Sequence, residues 1–186
     1  MKVQDGRVIK TKKTLHQSLV HLLQQKSLAE ITVTELCKGA NITRRTFYLH
    51  YESVPHIFEE QIKKLLADLE DSFLKTAKNR RLKKEGKTNP DIILLFQHVY
   101  DNKHLYKLIF SSKSNFSYYK IFLEKIKTLI RTSIQSTHLL KDVNEFELSY
   151  QANAILGLII EWCNQNFKVS VTFMNKTLMS ILKIDD

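Results

Sequence analysis

Apolar residues recur at helical spacing from the start of the chain. Within residues 8–25, Leu15, Leu19, Leu22 and Leu23 fall on one face, with lysines and glutamines between them. "SLAEIT" interrupts the pattern. Thr32 then caps a short helix over about 33–39, and Glu35 completes a capping box three residues later. That helix buries Val33, Leu36 and Cys37. "GAN" closes it, because Gly39 and Asn41 both tolerate left-handed backbone. The next stretch, "NITRRTFYLHY", is ambiguous by periodicity alone, since alternating aromatics also suit a strand. Thr43 as a cap and the turn before it decide for a helix over about 44–51. Two short helices joined by a tight turn form a helix-turn-helix, whose second helix enters the DNA major groove.

Pro55 opens a fourth helix, with Phe58, Ile62, Leu65, Leu66, Leu69 and Phe73 as its apolar stripe. It is expected to reach the high seventies or beyond. "KNRRLKKEGKTNP" (78–90) reads as a solvated helix end and a loop, its lysines suiting the negative end of the helix dipole. Further helices are expected at about 91–101, 103–110, 115–136, 145–166 and 170–184. The run "AILGLII" (154–160) has no polar side chain in any direction around its helix. One side suits the chain's own core and the other a second helix, with Gly157 allowing close approach. The last helix adds Val171, Met174, Leu178, Ile181 and Leu182. These two helices predict a four-helix interface in a two-fold homodimer, with Leu156, Gly157, Ile159, Ile160, Met174, Leu178 and Ile181 in contact.

Composition narrows the class. Of 186 residues 43% are apolar, enough for a core, while Gly 4 and Pro 2 leave little turn chemistry for a large sheet. The expected fold is all-α with about nine helices. A three-helix head (1–51) precedes a helical regulatory and dimerisation body (52–186). Charge is uneven: residues 1–51 hold nine Lys and Arg against three Asp and Glu, the remainder twenty against sixteen. A basic head suggests a polyanionic partner, most commonly nucleic acid. The two cysteines, Cys37 and Cys163, show no metal or disulfide spacing and fit a reducing compartment. No leader-like apolar segment and no membrane-length run is visible, so a cytoplasmic protein without membrane contact is expected.

Catalytic signatures are absent: no H-E-x-x-H, no G-x-S-x-G and no glycine-rich phosphate loop. His98 and His104 are six apart, which is not a helical-face pairing, and no acid cluster joins them. Neither enzyme activity, a metal nor a cofactor is expected. Phe96, Tyr100, Tyr106, Phe110, Tyr150 and Trp162 either line an effector pocket or simply fill a helical core.

Residues 32–51 resemble the DNA-binding signature of the tetracycline-repressor family, carried here by Thr32-Val33, Ala40-Asn41-Ile42-Thr43, Thr46-Phe47-Tyr48 and His50-Tyr51. The resemblance covers roughly residues 8–70. "DNKHLYKLIF" and "QANAILGLIIEW" are similar to a branch of the family that includes a dihydroxyacetone-kinase operon activator. Two positions depart from the pattern. Asn41 stands for the usual turn Gly, and Val54 for a Lys that reaches a phosphate in relatives. The resemblance implies backbone contacts for Thr46 and Tyr48, a capping and phosphate-reaching role for Thr43, and His50 beside them. Arg44 and Arg45 offer forks that match guanine O6 and N7 or a phosphate, with base readout expected of at least one. Phe47 is expected in the core, and Tyr51 either there or on a phosphate. Free N–H groups at Thr32 and Thr34 also suit a phosphate. Lys10, Lys12 and Lys13, ahead of the first helix proper, are expected to track the DNA backbone.

These features point to a homodimeric, sequence-specific transcriptional regulator on a pseudo-palindromic double-stranded operator, acting as a repressor released by a signal. An activator of the same fold governed by a protein partner instead of a small-molecule effector is the first alternative. A helical interaction module without DNA binding is the second.

Overall fold

A computed structural model describes residues 6–82, 94–110, 116–135 and 144–181. The regular elements of the described residues are helices: α1 Gly6–Leu23, α2 Val33–Ala40, α3 Arg44–Tyr48, α4 Val54–Leu82, α5 Leu95–Asp101, α6 Lys103–Ile109, α7 Phe116–Gln135, α8 Glu145–Asn164 and α9 Val171–Ile181. A single 3-10 turn, Leu28–Glu30, occupies the "SLAEIT" break. The all-α reading therefore holds. The expected helix starts at 91 and 115, the helix ends at 136 and 184, most of the basic loop and Leu182 lie outside the described residues. The chain divides into two compact units, Met1–Leu65 and Leu66–Asp186, the division falling inside α4.

The first unit is built on short helices that cannot stand alone. Helices under about 12 residues are marginal in water, so α2 and α3 depend on caps and packing. Thr32 Oγ1 accepts from Glu35 N at 3.2 Å, and Glu35 Oε2 accepts in return from Thr32 N at 3.0 Å. Asn41 ends α2 with φ 52° and a left-handed backbone. Gly39 has a different reason from the one its place in "GAN" suggests. It is helical, and a Cβ there would stand 2.3 Å from Ser18 Oγ. Ser18 donates to Leu36 O at 3.0 Å, so Gly39 lets α2 lie directly on α1. Leu15, Leu19, Leu36, Phe47 and Ile57 are fully buried in this unit.

The second unit has a core rich in aromatics. Trp162 packs edge-on to Phe96 and Phe167 and stacks on Tyr100, with its indole N–H donating to Val169 O at 3.1 Å. Tyr106, Phe110 and Phe122 form a second group. Asn166 and Phe167 are both left-handed, φ 59° and 57°. A bulky residue rarely adopts that backbone. Here the Phe167 ring is held against Trp162, and its N–H donates to Trp162 O at 2.9 Å, so the corner after α8 turns sharply into α9.

The apolar run of α8 is mostly internal. Leu156 and Ile159 are fully buried, and Met174 and Leu178 of α9 nearly so, all within the isolated chain. These four belong to the unit's own core, which corrects their expected place on a dimer surface. Gly157, Ile160 and Ile181 lie nearer solvent. Shortening Leu156 leaves a void that this packing cannot close. Leu156→Ala is expected to lower unfolding free energy by about 2–5 kcal/mol, read from urea melts; a change below about 1 kcal/mol would contradict its place in the core.

Candidate nucleic-acid interface

Helix α3 has five residues and one buried side. Thr43 caps it, accepting from Thr46 N at 3.1 Å, with the two hydroxyls 2.9 Å apart. Phe47 is fully buried and meets Tyr51 at 6.1 Å between ring centroids. Tyr51 is also buried, which settles it as core and not a phosphate contact. Its hydroxyl lies 3.0 Å from His16 Nε2 of α1. Burial first, and then the nearby Glu60 carboxylate of α4, push the phenol far above its ordinary range. Burial raises the Glu60 carboxyl, but bonds from Tyr51 and Lys12 outweigh it and hold the group low. Burial pushes the His16 imidazole down, against the pull of Glu60.

The opposite side of α3 faces solvent. Arg44, Arg45, Tyr48 and Leu49 are exposed, as is Thr43; Thr46 and His50 are half-buried. Two guanidinium forks beside a phenol offer donors for base edges or phosphates. Val54 is buried and supplies no cation.

The lysines divide. Lys10, Lys12 and Lys13 lie within α1, not ahead of it. Lys10 and Lys13 are exposed. Lys12 instead bonds Glu60 at 2.9 Å and lies 5.1 Å over the Tyr51 ring, so it braces the unit from within. At the start of α2, Thr34 is exposed. The Thr32 N–H and hydroxyl are already taken by the Glu35 carboxylate, which occupies the anion position there. Lys26 reaches the other carboxylate oxygen at 2.5 Å.

The six aromatics fall into separate ring groups. Phe96, Tyr100 and Trp162 belong to one ring group, Tyr106 and Phe110 to another, and Tyr150 is 67% exposed. Sequence reasoning missed His98 as their companion. It is buried with its ring 5.8 Å from that of Tyr106, edge to face. His98 Nε2 and Tyr106 Oη have no hydrogen-bond partner among the described residues. Burial lowers the His98 pKa, against Asp68 and Asp101, and raises that of Tyr106. Buried unpaired polar atoms are uncommon and mark a place where a polar group is accommodated. Spacing alone could not have signalled it, since His98 and Tyr106 sit on separate helices. Among the described residues no group of three or more His, Cys, Asp or Glu is placed to hold a metal, and no helix is long and apolar enough to cross a membrane.

Residues 86–184, more than half of the chain, match the family model described as "Transcriptional regulator C-terminal region". The uncharacterized HTH-type transcriptional regulator YxbF of Bacillus subtilis (strain 168) is 31% identical over 68 residues, spanning 36% of this chain and 18% of that protein. Among solved structures, the dihydroxyacetone kinase operon activator DhaS superposes with TM-score 0.67 at 19% identity, covering 95% of this chain and 96% of that one. A TetR transcriptional regulator from Streptococcus agalactiae 2603V gives 0.65 at 20% identity, over 94% of both chains.

The cap of α2 has a pH signature. Bonds from Lys26 first, then from Thr32, hold the Glu35 carboxyl down from 4.5 to about 2. A depressed carboxyl stabilises the fold above its unfolded pKa and loses that effect as pH falls through the folded one. Stability of the intact protein should therefore decline between about pH 4.5 and 2, and Glu35→Gln should flatten that decline while lowering stability at neutral pH. Identical acid-melting profiles for the two proteins would show that the cap contributes nothing.

Proposed function

The chain belongs to the tetracycline-repressor (TetR) family of transcriptional regulators, and from that premise we propose that it is a homodimeric repressor that binds a pseudo-palindromic operator and is released by a signal. The observation that carries this reading is the two-sided α3. Phe47 and Tyr51 fix one side, and Arg44, Arg45 and Tyr48 present the other to solvent. Residues 1–51 form the DNA-reading head in this reading and 52–186 the regulatory and dimerisation body. Arg44 and Arg45 supply base readout, while Thr43, Thr46, Tyr48, His50, Thr34, Lys10 and Lys13 hold the sugar-phosphate backbone. The buried His98–Tyr106 pair supports an effector that brings its own hydrogen-bonding group.

Activation in place of repression is the second reading, favoured by the activator among the structural neighbours. Binding to DNA flanking its own gene, with a reporter from the same promoter, separates the two by the sign of the response. Affinity should fall steeply with salt, with a log–log slope of about −0.9 per phosphate neutralised. Arg44→Ala should relax preference at one base pair by roughly 1–3 kcal/mol. Flat salt dependence, or equal losses on cognate and random DNA, would remove phosphate reading or base reading respectively.

Dimerisation is drawn to the surface that the apolar helices leave open. Phe146 and Tyr150 on α8 are 87% and 67% exposed, and they share a helical face with Gly157. Phe173 and Ile181 on α9 lie two turns apart on one stripe and are 55% and 41% exposed. Large exposed apolar side chains favour association over hydration. Light scattering should report a dimer at micromolar concentration. Tyr150→Asp with Phe173→Asp should give a folded monomer, whereas a folded double variant that remains dimeric would place the interface elsewhere.

A further inference from the structure

Among the described residues of the first unit, Leu49 is the most exposed large apolar side chain, at 74%. It caps α3 with helical dihedrals, φ −71° and ψ −19°, so the helical wheel still applies to it. Each residue turns about 100° around an α-helix. Arg45 and Leu49 therefore both point about 160° away from the buried Phe47, and Leu49 N donates to Arg45 O one turn back at 3.2 Å. They form the outermost line of α3, with Arg44 and Tyr48 along one flank. A lone exposed leucine needs no explanation. A leucine at the crest of the helix, directly in line with an exposed arginine, is placed where a groove floor would be touched.

We propose that Leu49 is a specificity-determining residue that contacts the C5-methyl group of a thymine in the major groove. The inference rests on the DNA-binding reading above and deepens it. In the major groove the thymine methyl is the apolar feature that separates T·A from the other base pairs. A leucine cannot hydrogen-bond a base edge or a phosphate, so a methyl is the feature it can distinguish. The adjacent Arg45 supplies the charge that draws the helix to DNA. One helical turn is about 5.4 Å and one base-pair step about 3.4 Å, so the thymine lies one or two base pairs from the position Arg45 reads.

Thymine and uracil differ only in that methyl, which gives a direct test. The full-length protein first selects its preferred duplex from random-sequence DNA. Each thymine of the selected half-site is then replaced singly by deoxyuridine, and affinities of the wild type and of Leu49→Ala are measured. The wild type should lose about fourfold, the partitioning value of one methyl-sized group, at one position of each half-site. Leu49→Ala should bind thymine and uracil duplexes equally there. Because the side chain is exposed, the variant should keep its helical circular dichroism. Wild-type indifference to uracil at every position would overturn the proposal, as would a Leu49→Ala protein that keeps the difference. So would a loss on thymine and uracil duplexes alike with the wild-type ratio intact, which assigns Leu49 to packing on sugar or protein. An enriched sequence with no methyl effect removes only this inference. Failure to enrich any sequence removes the DNA-binding reading with it.

Discussion

Everything on the exposed side of α3 depends on the anchor at its far end. A five-residue helix has no stability of its own. Its direction is set by the Phe47 and Tyr51 rings beneath it and by the polar group that closes over Tyr51. His16 from α1 meets that phenol, and Lys12 covers its ring while pairing with Glu60 of α4. Gln61 adds a bond to His16 O at 3.0 Å. Three segments distant in sequence thus share one half-buried polar knot. Side-chain networks of this kind couple their members, so loss of one partner loosens the bearing of α3 on α1 and α4 without removing any side chain from the exposed face of α3.

The second unit solves a different problem. Its helices are longer and its core apolar, so position is set by shape. The left-handed Phe167 locks against Trp162 and turns the chain from α8 into α9. That fixes which face of α8 is inward. Leu156 and Ile159 go inside, and Phe146 and Tyr150, on the other side of the same helix, are left outside. The orphan atoms of His98 and Tyr106 stand out in this largely apolar core, and a polar occupant between helices is an arrangement that would relieve them.

Local chemistry was legible in the sequence and tertiary phase was not. Thr32, Glu35, Asn41 and Thr43 act on residues within four positions of themselves, and the structure shows them capping and turning as their types predict. The run 154–160 gave no such guidance, because a helix apolar in every direction carries no periodic signal to say which side is inward. Gly39 was read for backbone freedom, yet its use is the approach of Ser18 from another helix. Lys12 was read as a free cation because Glu60 lies 48 residues away. A leucine is by type a core residue, and only the placement of Leu49 opposite Phe47 shows otherwise.

The basic count of the head understates how one-sided its charge is. Between Gly6 and Tyr51 the acids are Glu30 and Glu35. Glu30 accepts from Ser27 N at 2.8 Å, and Glu35 accepts from Thr32 and Lys26. Both carboxylates are therefore turned onto helix starts within the chain, where they complement the dipole. Two of the bases, Lys12 and Lys26, are tied to carboxylates as well. Lys10, Lys13, Lys38, Arg44 and Arg45 remain exposed. The same capping bonds that make α2 a helix thus pair the Glu35 charge with Thr32 and Lys26 inside the unit. Folding and the electrostatics of polyanion recognition draw on one set of contacts, and a change in the caps alters both.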